Sequence, residues 1–148
     1  MKGKVIALFC VFYTYAHLRY HIGKSIPLSE WLFIVNKSIA WTGGILLGLS
    51  LFKYEGKNIR NSLGSIGYLF ASIHLLLDVI LMSPEHYPSF YSFGQLNTHA
   101  WISITLGASS FICFTIAFLG SISKNHKYLL RSGRIGILFS LLHVTMIG

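Results

Sequence analysis

Two histidines stand at equivalent places in a repeated segment of this 148-residue chain. Residues 64–74 read GSIGYLFASIH and residues 133–143 read GRIGILFSLLH. Gly, Ile, Gly, Leu, Phe and His recur in the same order with no gap. Neutral imidazole is a strong iron ligand. Two imidazoles facing each other across a helix bundle can fill both axial positions of a haem, with the porphyrin in the apolar space between the helices. His74 and His143 are therefore the candidate ligands of a haem iron. Phe70 and Phe139, one turn before each histidine, would pack on the macrocycle. Ser72 or Ser140 would orient an imidazole through its second nitrogen. The competing use of a buried histidine is hydrogen-bonded packing, and the repeat would then reflect duplication alone.

Other residues carry weaker chemistry. His17, His21, His86 and His99 fall near one predicted membrane interface. There they form either a second metal or cofactor site, for which His99 at the start of a helix is the best placed, or a layer of interfacial polar groups. His126 lies in a basic connector. Lys37 and Asp78 are charges inside predicted spans at similar depth, which suits a helix–helix clamp, and Lys37 also suits a haem propionate or proton contact. Cys10 and Cys113 make no CxxC and read as small buried apolar residues. There is no Ser-His-Asp, H-E-x-x-H or P-loop signature. With four acidic residues in the whole chain, hydrolytic chemistry is hard to build.

These residues must be positioned by elements suited to lipid. Hydrophobic residues make up 53% and charged residues 11%, at a mean hydropathy of +0.62. A soluble domain covers itself with about 25% charged residues, and this chain cannot. Five apolar runs, at about 4–20, 31–52, 61–82, 98–120 and 133–148, predict a single all-α transmembrane domain of about five spans, each near the ~20 residues a bilayer requires. The runs are continuous and lack the alternation of a barrel strand. The first is expected to remain as an uncleaved span, and Ser83-Pro84 should stop the third. Each repeat histidine lies ten residues past the first glycine of its copy, a rise of about 15 Å, half of a ~30 Å hydrocarbon core. Gly64, Gly67, Gly133 and Gly136, with Gly43, Gly44 and Gly48, mark faces where helices can approach closely. Trp31, Trp41, Trp101, Tyr87 and Tyr91 are candidate interface anchors.

The net charge of +8 is gathered in the connectors. Nine Lys and Arg fall on the side of the N-terminus and two, Arg19 and Lys24, on the other, which predicts a cytoplasmic N-terminus. No basic stripe interleaves with exposed aromatics, so nucleic acid is not an expected partner.

Arg60, Leu63, Gly64 and His74 resemble the R-x-x-L-G…H pattern of the ferric reductase-like transmembrane domain, the group that includes the haem-binding membrane subunit of the periplasmic methionine sulfoxide reductase system. Helix four, ending in Ser121 before a basic connector, and helix five with His143 are similar as well, so the resemblance covers roughly residues 31–148. It implies one b-type haem between helices three and five, ligated by His74 and His143, and electron transfer across the membrane. The pattern departs from the family in lacking a second histidine further along each ligand helix, a sixth helix, and any G-x-G-x-x-G nucleotide site. Electrons would then come from a quinol or a partner redox protein.

The expected function is thus a cytochrome b-like electron relay in the cell (inner) membrane, as a subunit of a ferric reductase-like oxidoreductase or in a homo-oligomer. The alternative is a cofactor-free membrane subunit, assembly factor or small transporter component.

Overall fold

The structure, a computed structural model, describes residues 2–22, 30–51, 57–123 and 126–147. Five helices follow one another in alternating directions: α1 (Lys2–His17), α2 (Trp31–Ser50), α3 (Lys57–Leu81), α4 (Thr98–Ile122) and α5 (His126–Ile147). A π-helical turn, Leu18–Ile22, extends α1. Helix α2 packs along α3 and α4 along α5, while narrower contacts join α3 to α4 and α2 to α5. These four form one bundle, and α1 leans on it through α2. Phe12 of α1 stacks on Trp41, and Phe9 meets Phe70 of α3 edge-on. Trp41 sits in the middle of α2, so it serves packing rather than the interface anchoring expected of it.

Burial is inverted relative to a soluble bundle. In α2, 56% of the apolar window is enclosed, against 6% in α3 and 17% in α4. The enclosed residues of α2 include Asn36, Lys37, Ser38 and Thr42, whereas Leu76, Val79 and Ile80 of α3 point outward at 65–70% exposure. Polar groups inside and apolar ones outside suit hydrocarbon as the surrounding medium. By length and composition, three helices among the described residues are able to cross a membrane: α2, α3 (over Ile59–Leu81) and α4.

That is fewer than the five spans expected from hydropathy. Helix α1 has 16 residues, a rise of about 24 Å, short of a ~30 Å core. Helix α5 is 22 residues long, but Arg131 and Arg134 lie in its first half. It also starts at His126, well before residue 133. Lys, Leu and Arg are good helix formers, so the segment first read as a basic connector continues the helix.

Two glycines set the α2–α3 crossing. A Cβ on Gly67 would lie 2.9 Å from the Leu47 backbone nitrogen, and one on Gly43 would lie 2.9 Å from Phe70 Cβ. On the other side of the bundle, a Cβ on Gly136 would lie 2.9 Å from the Phe114 ring. The equivalent glycines of the two repeat copies thus both mark close approach, while Gly44 has nothing near it. The buried hydroxyls of α2 are satisfied within the helix: Ser38 donates to the Ile34 carbonyl and Thr42 to that of Ser38.

Helix α3 ends at Leu81, ahead of Ser83-Pro84 as expected. The segment from 82 to 97 then folds over the bundle end. It holds a 3-10 turn, Pro88–Phe90, and a small hairpin of β1 (Tyr91–Ser92) and β2 (Gln95–Leu96). Phe93 and Gly94, both at positive φ, make its two-residue turn. The Asn97 side chain accepts from Ala100 N and caps α4. Tyr87 and Phe90 drop from this segment into a cluster with Ala16, Phe33, Ile34, Leu81 and Ala100, which closes the bundle end above the repeat histidines.

Candidate functional site

His74 and Asp78 are one turn apart on α3, on the face turned toward α2. His74 Nε2 lies 3.2 Å from Asp78 Oδ2. Asn36 of α2 bridges both: its Nδ2 donates to Asp78 Oδ1 at 2.7 Å, and its Oδ1 lies 2.7 Å from His74 Nδ1. Tyr87, from the capping segment, donates to Asp78 Oδ1 at 2.6 Å. Lys37 Nζ donates in turn to the Tyr87 hydroxyl at 3.0 Å and sits 4.5 Å from the centre of that ring and 5.0 Å from that of Phe33. The Lys37–Asp78 clamp expected from sequence therefore runs through the Tyr87 hydroxyl. A lone charge at membrane depth costs ~2.5–3.5 kcal/mol on insertion scales, and a hydrogen bond to a charged group contributes about 1.5–3 kcal/mol. Asp78 receives two such bonds, from Asn36 and Tyr87, and Lys37 makes one beside two aromatic faces, which offsets the cost of holding both charges inside. Burial first, and the neighbouring Asp78 carboxylate second, raise the Tyr87 pKa above its ordinary value, so the phenol remains the donor.

His143 on α5 faces α4. Its Nδ1 lies 2.8 Å from the Ser103 carbonyl and 3.1 Å from the Ser103 hydroxyl. Gly107, one turn further along α4, makes room for the ring: a Cβ there would lie 3.1 Å from His143 Nδ1 and Cε1.

The partners fix which nitrogen of each ring is protonated. A backbone carbonyl only accepts, so His143 Nδ1 carries the hydrogen. Asn36 spends its amide donor on Asp78, so its oxygen accepts from His74 Nδ1. Each imidazole then keeps Nε2 for a cation. This is how metal-binding histidines are commonly held, with the second nitrogen tied to an oxygen acceptor. One ligand atom each from His74, Asp78 and His143 falls within 4.8 Å of the others. Two imidazole nitrogens on opposite sides of one metal at about 2.0–2.1 Å each are about 4 Å apart, so this spacing is within the reach of a single metal ion. His74 Nε2 facing a carboxylate is also satisfied only by a proton or a metal between them.

The remaining candidates lie elsewhere. Phe70 turns toward α1 and, with Phe9, Ile39 and Ile73, lines an apolar cleft of about 250 Å³. Phe139 is half-buried one turn before His143. Ser72 donates to the Tyr68 carbonyl at 2.9 Å, its own helix turn. His99 bonds to the Met146 carbonyl through Nε2, and the metal-competent group among the described residues does not include it. His17 and His21 pair with each other, ring centres 4.7 Å apart. His86 joins Glu30 and Ser83. Side chains 126–130 lie outside the described residues.

Sequence reasoning did not single out Asn36, Ser103 or Gly107, and it read Tyr87 as an interface anchor. Asp78 had an available signal, its spacing of four from His74. No family model, curated protein or solved structure matches the chain.

Proposed function

We propose that this is a membrane electron-transfer protein in which His74 and His143 hold one b-type haem between α3 and α5. The reading rests on one observation: two imidazoles from equivalent places in a repeat converge, with Asp78, to ligand atoms within 4.8 Å, each with Nδ1 tied to an oxygen. The haem would supply a one-electron couple between ferrous and ferric iron. The chain's own residues orient and insulate. Asn36 and Ser103 hold the rings, Gly107 seats one of them, and the 82–97 segment covers them at the bundle end.

On this reading α1 and α5 lie in the membrane with the three long spans, to give a five-helix bundle that resembles the ferric reductase-like domain without its sixth helix, with the N-terminus cytoplasmic. The donor would be a quinol or partner redox protein. The test is the absorption spectrum of the full chain purified in detergent after expression with adequate haem. A Soret band that shifts on dithionite reduction is the expected result. A colourless protein that retains no haem rules the reading out.

A second reading follows from Asp78. Two imidazoles and one carboxylate are also the donor set of a mononuclear transition-metal site. Metal analysis separates the two, since stoichiometric metal without a Soret band supports only the second.

A further inference from the structure

At the opposite end of the bundle, α2, α3, α4 and α5 surround a cavity of about 60 Å³. Its polar lining is Arg60 and Asn61 in the first turns of α3, Ser65 one turn on, Ser121 of α4, and Ser50 of α2, whose hydroxyl donates to the Leu47 carbonyl. Phe114 and Phe118 form part of its apolar wall. Tyr68 also borders it but its hydroxyl is engaged with Thr115 at 3.0 Å. A volume of this size holds several waters or one compact anion.

The charge balance there is one-sided. The chain has four acidic residues, Glu30, Glu55, Asp78 and Glu85. Three belong to the His99 end, and Glu55 lies outside the described residues. Among the described residues, then, no carboxylate answers the Arg60 guanidinium. The guanidinium fork matches phosphate oxygens two at a time, while the amide of Asn61 and the hydroxyls of Ser65 and Ser121 add donors around it. The positive end of the α3 dipole lies at the same place. Aromatic walls behind a cationic rim suit a group that is anionic on one side and apolar on the other.

We infer that this cavity binds a phosphate group through Arg60, Asn61, Ser65 and Ser121. The source is either the headgroup of an anionic phospholipid or free phosphate. The site is independent of the haem reading, since it lies at the far end of α3 from His74.

The test uses the full chain in mild detergent, with native mass spectrometry reading occupancy as short-chain phosphatidylglycerol, short-chain diacylglycerol or inorganic phosphate is added. Wild type is expected to take one saturable phosphatidylglycerol. Displacement of that lipid by inorganic phosphate marks a free-anion site, and its persistence marks a headgroup site. Either result supports phosphate chemistry. Arg60→Gln should weaken binding at least about tenfold, the loss of a charged hydrogen bond. Ser121→Leu fills the cavity, leaves the guanidinium in place and should weaken binding as well. Arg134→Gln, an exposed cation in α5, and Glu55→Gln should change nothing. The inference is overturned by equal affinity in wild type, Arg60→Gln and Ser121→Leu, by diacylglycerol binding as well as phosphatidylglycerol, or by an adduct that appears only when Glu55 is replaced.

Discussion

Gly107 of α4 faces the His143 imidazole so closely that a methyl group on it would lie 3.1 Å from Nδ1. The ring is stiff and tied to the Ser103 carbonyl, so it has little freedom to give way. Gly107→Val should displace it, at a cost of about 1–3 kcal/mol for overpacking. Haem content per protein, read at the Soret band, should fall with stability. Full haem content in a stable Gly107→Val variant would contradict the seating of His143.

On the haem reading, His74→Ala and His143→Ala should each abolish the Soret band, and His126→Ala should leave it intact. A band that survives loss of either repeat histidine would assign the iron to other ligands.

Asn36→Leu tests the tie on His74. Outer partners of metal-binding histidines typically account for ten- to hundredfold in affinity. Haem is therefore expected to dissociate about ten to a hundred times more readily in a dilution assay, with a shifted midpoint potential. Unchanged retention and potential would mean that Asn36 serves helix packing alone.

Tyr87→Phe removes the hydroxyl between Lys37 and Asp78. Leaving such groups short of a partner costs about 1–3 kcal/mol. The pH dependence has a definite sign. The Tyr87 pKa is raised in the fold by burial and then by Asp78, whereas an unfolded tyrosine ionises near pH 10. Its contribution is complete below about pH 10 and is lost as pH climbs toward the raised value, because only the unfolded chain releases the proton. Unfolding free energy should therefore decline above about pH 10 in wild type and decline less steeply in Tyr87→Phe. Parallel profiles would remove Tyr87 from the alkaline response.

The helices were legible because apolar runs punctuated by charge and Pro report the surrounding medium directly. The start of α5 was not, since hydropathy marks where lipid-compatible sequence begins and Lys127, Leu129 and Arg131 continue a helix regardless. The repeat named His74 and His143, because equal register on parallel helices gives equal depth. It said nothing of Asn36 or Ser103, which belong to α2 and α4 and meet the imidazoles only through the way the helices pack. Phe70 shows the limit of reasoning by spacing. It lies one turn from His74, yet the α2–α3 crossing at Gly43 and Gly67 rotates it toward α1.

The chain of Lys37, Tyr87, Asp78 and Asn36 bears on biogenesis. Helix α2 brings an ammonium group, α3 brings a carboxylate, and the hydroxyl that joins them is translated only after both. Released singly, each segment would carry its charge into lipid without a counterpart. Insertion as a hairpin, with α2 retained beside the translocon until residue 87 has emerged, avoids that exposure. A ribosome paused upstream of Tyr87 should therefore leave α2 loosely integrated and extractable at alkaline pH.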